Sequence, residues 1–154
     1  MYAIGDTIQN FTLLNHQGQS ISFEDFRGKK VLIWFYPRAS TPGCTAEGCS
    51  LRDHFPSFQE NNIVILGISM DSVKKLATFV EKQSFPYDLL SDPDKIVIDA
   101  FGAWGPKKMA GNEYEGILRS SFLIDEEGKL AQSYLKVQTK THGRDVLNSI
   151  TKSF

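Results

Sequence analysis

The sequence is poor in cysteine, has no excess of basic charge and contains no long hydrophobic run. Its two cysteines in 154 residues are too few for a disulfide scaffold. Lys and Arg total 17 against 18 for Asp and Glu, so no net positive field would attract nucleic acid or an anionic membrane. The longest apolar runs, 31–36 and 63–66, are too short to cross a bilayer, and residues 1–11 lack the pattern of a signal peptide. We therefore expect a cytoplasmic protein that binds neither nucleic acid nor membranes.

The order of hydrophobic segments predicts alternating strands and helices. With 41% hydrophobic and 12% aromatic residues, the chain is long enough for one compact domain over residues 1–154. Two apolar runs, Val31 to Tyr36 and Ile63 to Ser69, predict strands buried on both faces. A helix is expected after the first strand, from Pro42 to about residue 60 with a break at Pro56. A second helix is expected over 72–83, which gives a β-α-β-α order.

The remaining segments complete an α/β fold. We expect a short strand over 87–90, a short helix over 92–101, and a hairpin that joins strands 119–124 and 130–134. The last helix begins near Thr141, and two short strands, 11–14 and 20–23, form an N-terminal β-hairpin. Strands and helices in this order predict a thioredoxin-like central mixed β-sheet flanked by helices.

Cys44 is placed where a thiolate is favoured. It lies in the first turn of the helix that Thr41 caps, where unpaired backbone N–H groups and the helix dipole stabilise an anion. Asp and Glu are absent between Tyr36 and Ala46, and Arg38 adds positive charge. The pattern indicates a nucleophilic cysteine, although an unreactive buried thiol is the alternative.

Cys49 follows five residues later on the same predicted helix. On a regular helix the two Cα atoms would be roughly 8.6 Å apart and about 140° apart around the axis. A disulfide requires a Cα separation below about 7 Å, so the two cysteines can bond only if this part of the helix unwinds. Gly48 costs about 1 kcal/mol of helix stability relative to Ala, which would make unwinding easier. The alternative for Cys49 is a structural thiol.

The pattern of His and Cys does not favour a metal centre. The two cysteines have no second cysteine pair and no local histidine pair beside them. His54 and His142 are predicted to lie at the surface. We expect neither a metal nor a cofactor.

The segment 35–53 (FYPRASTPGCTAEGCSLRD) resembles the peroxiredoxins of the bacterioferritin-comigratory or Q-type group. The signature Pro-x-x-x-Thr-x-x-Cys of that family is met by Pro37, Thr41 and Cys44. Further similar segments are 66–71, 90–94, 101–104 and 119–125, so the resemblance covers nearly the whole chain.

The resemblance implies a thioredoxin-like fold with an N-terminal extension, and it assigns a role to each of five residues. Cys44 would be the peroxidatic cysteine and Cys49 the resolving cysteine. Thr41 would hydrogen-bond the peroxide, Arg119 would hold the thiolate and polarise the O–O bond, and Pro37 would shield the pocket. Fixed donors and a guanidinium suit this chemistry because negative charge develops on the leaving oxygen.

The implied activity is thiol-dependent reduction of hydrogen peroxide and organic hydroperoxides. No cysteine follows Cys49, so the disulfide between Cys44 and Cys49 would be intramolecular. Thioredoxin or a glutaredoxin-like protein would reduce it, and the protein would be a monomer. Two alternatives stay open: a thioredoxin-like disulfide oxidoreductase, although the Cys-x-x-Cys spacing is missing, and a redox-sensing binding protein.

Overall fold

The structure, a computed structural model, describes residues 1–151. Nine strands lie within this range: β1 (Thr12–Asn15), β2 (Ser20–Ser22), β3 (Lys30–Phe35), β4 (Ile63–Ser69), β5 (Asp88–Ser91), β6 (Trp104–Met109), β7 (Asn112–Ile117), β8 (Ser120–Ile124) and β9 (Leu130–Tyr134). Five α-helices lie within it too: α1 (Pro42–Asp53), α2 (Phe55–Glu60), α3 (Val73–Gln83), α4 (Ile96–Ala100) and α5 (His142–Thr151). A 3₁₀ helix spans Phe23–Phe26. None of these helices is long and apolar enough to cross a membrane.

Seven strands form one mixed sheet in the order β2-β1-β5-β4-β3-β8-β9. Strands β3, β4 and β5 are parallel, whereas β1 and β8 join this group in antiparallel orientation. The predicted N-terminal hairpin, β1 and β2, is therefore an edge of the central sheet. The predicted thioredoxin-like mixed sheet is confirmed.

Strand β3 lies in the middle of the hydrophobic core. Alternate side chains of a strand point to opposite faces. Val31, Ile33 and Phe35 accordingly pack in one cluster, which includes residues of α4. Leu32 and Trp34 pack in the other, together with residues of α1, α2, α3 and α5. Burial on both faces explains why the sequence of β3 is a continuous apolar run.

One predicted helix break is present, and two other features differ from the predictions for local physical reasons. Pro56 lies in the first turn of α2, and the predicted break is confirmed, since α1 ends at Asp53 and α2 begins at Phe55. The helix predicted from residue 92 begins at Ile96, because the Asp92 carboxylate accepts hydrogen bonds from three backbone N–H groups at its start. The hairpin of β6 and β7 was not predicted. Most of β7 is exposed, so it lacks a hydrophobic period.

The register of β3 and β8 places two distant chain segments at one edge of the sheet. Phe35, the last residue of β3, pairs with Ser120, the first residue of β8. The loop after β3, which leads into α1, therefore meets the residue that precedes β8. That residue is Arg119.

Candidate active site

Cys44 is the third residue of α1, and its thiol is fully buried. Thr41 is the N-cap residue, as predicted, and Pro42 begins the helix. The Arg119 guanidinium reaches this turn, with Nη2 donating a hydrogen bond to Cys44 Sγ at 3.5 Å. Cys44 thus combines a helix start with a direct cationic contact, and both favour a thiolate.

A cavity of about 860 Å³ adjoins this turn of α1. Pro37, Thr41 and Arg119 all line it, so the structure brings these three predicted residues together. Thr41 Oγ1 donates a hydrogen bond to the backbone oxygen of Arg38 at 2.8 Å and makes no side-chain cap of the helix. The hydroxyl oxygen therefore remains an acceptor for a donor bound in the cavity.

Lys107 also lines this cavity. Its Nζ donates to the backbone oxygen of Ile117 at 2.8 Å. Burial lowers the pKa of Lys107, and the positive charge of Arg119 lowers it further, while Cys44 raises it. The resemblance to known families did not assign this residue a role.

Cys49 is separate from this cavity. It is half-buried in α1, and its Sγ donates a hydrogen bond to Gln83 Oε1 at 3.4 Å. Burial raises the pKa of the Cys49 thiol, although the positive charge of Arg52 opposes this. Both cysteines are free thiols on an intact helix. This structure therefore has the reduced arrangement, in which α1 has not unwound.

Gly48 packs more tightly than the sequence suggested. A Cβ at this position would lie 2.5 Å from Cζ of Phe85, well inside van der Waals contact. Its backbone oxygen also accepts a hydrogen bond from the Tyr87 hydroxyl at 2.8 Å. The glycine permits this close approach, and the segment 83–87 holds the middle of α1. Helix propensity alone therefore does not describe Gly48, because the absence of a side chain also makes room for the Phe85 ring.

Glu47 lies beside Arg119 in this site, and the sequence analysis did not identify it. Its carboxyl group is fully buried, and Oε1 accepts a hydrogen bond from Arg119 Nη1 at 2.7 Å. Arg119 therefore contacts both Cys44 and Glu47. A signal was present in the sequence, since Glu47 lies one helical turn after Cys44 and so on the same face of α1.

His142 is buried, so its predicted surface location is wrong. Only 2% of the residue is exposed, and Nε2 lies 2.7 Å from Ser121 Oγ and 3.7 Å from Glu47 Oε2. The reason is the docking of α5 on α1, where Gly143 N donates to Ser50 Oγ at 2.9 Å. His54 is partly buried as well, with Nδ1 2.9 Å from the Ser50 backbone oxygen.

Burial changes the pKa values of Glu47, His142 and Arg119. It raises the pKa of Glu47 to about 7, against the hydrogen bond from Arg119. It lowers the pKa of His142 to about 4. Burial also lowers the pKa of Arg119, but the anionic forms of Cys44 and Glu47 raise it by more, so the net direction is upward. Arg119 is thus a permanent cation between two groups that can lose a proton.

Within residues 1–151, no three His, Cys, Asp or Glu side chains come close enough together to hold a metal ion.

The chain is similar to known proteins along most of its length. It matches the AhpC/TSA family over residues 4–133. It is 49% identical over 146 residues to a Bcp peroxiredoxin of Haemophilus influenzae, covering 95% of this chain and 94% of that protein. It is 42% identical over 144 residues to peroxiredoxin Bcp of Escherichia coli, covering 94% of this chain and 92% of that protein.

The solved structures that resemble this chain come from the same group of proteins as these relatives. A Cys-to-Ser mutant of Xylella fastidiosa PrxQ superimposes with a TM-score of 0.93 at 32% identity, covering 99% of this chain and 98% of that one. The Xanthomonas campestris bacterioferritin comigratory protein was trapped in intermediate and ligand complexes that bear on its alkyl peroxide reduction activity. It gives a TM-score of 0.87 at 36% identity, covering 93% of this chain and 91% of that one. The chain therefore belongs to the AhpC/TSA family, among its Bcp/PrxQ peroxiredoxins, and is a thiol-dependent peroxidase.

Proposed function

We propose that Cys44 is the thiol that attacks the hydroperoxide and that Cys49 then closes an intramolecular disulfide with it. The observation that carries this proposal is the 3.5 Å contact between Arg119 Nη2 and Cys44 Sγ at the start of α1. The Cys49 sulfur donates its hydrogen bond to the uncharged Gln83 side chain and burial raises its pKa, so Cys49 is the poorer nucleophile of the two.

In the first step, the Cys44 thiolate attacks the terminal oxygen of a hydrogen peroxide or organic hydroperoxide molecule. The O–O bond breaks, and the leaving oxygen takes the electron pair and a proton and departs as water or an alcohol. The sulfur is oxidised to a sulfenic acid. Arg119 stabilises the charge that develops on the leaving oxygen, because its guanidinium is already held between Glu47 and Cys44 and needs no reorganisation.

Thr41 and Pro37 orient and enclose the peroxide in this scheme. The Thr41 hydroxyl donates a hydrogen bond to the backbone oxygen of Arg38, so its oxygen is left to accept a hydrogen bond from the O–H of the peroxide. Pro37 has no backbone N–H and forms part of the cavity wall, which limits the approach of water to the thiolate.

In the second step, Cys49 attacks the Cys44 sulfenic acid, water leaves and a disulfide forms. Both residues lie on α1, where an intact helix keeps their Cα atoms about 8.6 Å apart. Closure therefore requires this part of α1 to unwind, since disulfides need a separation below about 7 Å. The segment between the two cysteines must release Glu47 from Arg119 as it unwinds.

Reduction of that disulfide completes the cycle. We assign this step to thioredoxin or a glutaredoxin-like protein, because a dithiol reductant resolves a disulfide by thiol exchange. The enzyme would act in the cytoplasm, where thiols are kept reduced, as a monomer with a single domain. Sedimentation at micromolar concentration tests the monomer, and steady-state turnover with each reductant in turn identifies the physiological one.

Single-turnover oxidation of two variants tests the cysteine roles. Cys44→Ser should consume no peroxide, and turnover at the wild-type rate in that variant would remove Cys44 from its role. Cys49→Ser should gain one oxygen on Cys44 and stop there, whereas the unaltered protein should form a disulfide between the two peptides. A disulfide between two chains, seen on a non-reducing gel, would contradict the intramolecular scheme.

A further inference from the structure

Arg119 is shared by two groups that can each carry a negative charge. Its Nη2 contacts Cys44 Sγ at 3.5 Å and its Nη1 contacts Glu47 Oε1 at 2.7 Å. Glu47 is fully buried, with none of its side chain exposed. If both groups were ionised, two anions would be held by one cation away from water, which is unfavourable.

The second carboxyl oxygen of Glu47 is where a proton would reside. Glu47 Oε2 is buried and has no hydrogen-bond partner among residues 1–151. The nearby basic atom is His142 Nε2 at 3.7 Å, and that nitrogen is already 2.7 Å from Ser121 Oγ. Burial keeps His142 neutral at physiological pH, so it does not supply a balancing charge. A proton on Oε2 removes the unpaired buried charge.

Charged and titratable groups approach Glu47 from several elements. Two tyrosines add no charge, since burial raises the pKa of each hydroxyl. Among residues 1–151, these groups include Cys44 on the same helix, Tyr36 after β3, Tyr87 before β5, Arg119 before β8 and His142 on α5. Within this set Arg119 is the cation and Cys44 is the competing anion.

We propose that Glu47 stores the proton that the oxidation of Cys44 consumes. This inference rests on the proposed role of Cys44 as the peroxide-reactive thiol. While Cys44 is a thiolate, it neutralises Arg119 and Glu47 stays protonated. When Cys44 becomes an uncharged sulfenic acid, Arg119 loses its partner, and Glu47 ionises to replace it.

The step balances in atoms and charge. A thiolate, a hydroperoxide and a carboxylic acid give a sulfenic acid, an alcohol or water, and a carboxylate. The hydroperoxide proton ends on the sulfenic oxygen, and the leaving oxygen takes a proton from water in the cavity. Glu47, which Arg119 contacts through Nη1, releases one proton to solvent as it ionises. The pKa of Glu47, raised to about 7, allows it to hold and release a proton near neutral pH.

Proton counting during one turnover tests this inference. The test uses Cys49→Ser, which stops at the sulfenic acid, in weak buffer with a pH-indicator dye. The thiolate fraction is measured beforehand from its ultraviolet absorbance, and the oxygen gained by Cys44 is measured by mass spectrometry. Around pH 7, the proton uptake per oxygen gained should be smaller than the thiolate fraction. Adding Glu47→Gln should raise the uptake to the thiolate fraction.

Glu60→Gln provides the matched control, since this glutamate is exposed at the end of α2 and its loss should leave the uptake unchanged. Uptake equal to the thiolate fraction with Glu47 present would overturn the proton store while leaving the role of Cys44 intact. Absence of the added oxygen on Cys44 would overturn both. If Glu47→Gln does not fold, infrared difference spectra of Cys49→Ser decide the question. Oxidation should remove a protonated carboxyl band, and an unchanged band would refute the inference.

Discussion

The hydroxyl of Tyr87 offers a way to change the unwinding of α1 without touching Cys44. It donates a buried hydrogen bond of 2.8 Å to the backbone oxygen of Gly48, which lies between the two cysteines. Tyr87→Phe removes this bond and retains the ring. The stacked contact with Phe85, at 5.2 Å between centroids, is kept. We expect the variant to unwind α1 more readily and to close the disulfide faster.

The expected increase in the rate of disulfide closure follows from the loss of one hydrogen bond. A hydrogen bond within a protein contributes about 0.5–1.5 kcal/mol net, and the Gly48 oxygen stays in the helix, where its backbone bonding continues. If the lost bond stabilises only the wound form, the population of the unwound form rises roughly two- to tenfold. Closure should accelerate by the same factor when unwinding is a rapid equilibrium before it. The sulfenic acid then meets a second peroxide less often, so overoxidation to the sulfinic acid should fall.

Rapid-quench mass spectrometry measures these species directly. Sulfenic acid, disulfide and sulfinic acid are counted after mixing with peroxide, and hydrogen exchange of residues 42–50 reports unwinding in the reduced protein. Tyr134→Phe is the matched control, because it also removes a partly buried hydroxyl, one that lies 2.7 Å from Ser149 Oγ and outside α1. Equal closure rates in the two variants, with equal exchange of residues 42–50, would refute the idea that Tyr87 restrains α1.

Three further predictions concern the neighbours of the cysteines. Gly48→Ala should lower the free energy of unfolding by about 1–3 kcal/mol, since its Cβ would lie 2.5 Å from the Phe85 ring, and Phe85→Leu should relieve this cost in a urea double-mutant cycle. Arg119→Ala should slow thiolate oxidation in stopped flow, and Arg119→Lys should recover only part of the rate because it lacks the forked geometry; equal rates in all three proteins would make Arg119 structural. Urea titrations across pH should separate Glu47 from His142. Folding raises the pKa of Glu47 from 4.5 to about 7, so Glu47 lowers the free energy of unfolding as pH rises from 4.5 to about 7. Folding lowers the pKa of His142 from 6.5 to about 4, so His142 lowers the free energy of unfolding as pH drops from 6.5 to about 4. Glu47→Gln should therefore show stability rising with pH between about 4 and 6.5, and His142→Asn should show it falling between about 4.5 and 7. If the free energy of unfolding changed with pH in the same direction in both variants, the pKa shifts of Glu47 and His142 would be contradicted.

Contacts between neighbours in the sequence were predictable because they follow from local geometry. The apolar run of β3 had to be a strand buried on both faces, and Pro42 after Thr41 had to begin a helix. Those two elements place Cys44 in the first helical turn whatever the rest of the chain does. The resemblance of segments 35–53 and 119–125 to the Q-type peroxiredoxins then implied a role for Arg119.

Contacts between distant segments were decided only by the tertiary structure. In the sequence, Glu47 and His142 look like ordinary polar residues of two helices. The tertiary structure buries both, because α5 docks on α1. Helix propensity describes Gly48 as a residue that weakens α1, whereas the structure shows that the Phe85 ring packs against it. The sequence by itself determined the order of the apolar segments along the chain, the start of α1 and the position of the Cys44 thiol within that helix. Each of these depends only on residues that are close together in the sequence. Burial, the sign of a pKa shift and the space beside a glycine depend on which faces meet, and that is set by the packing of the whole chain.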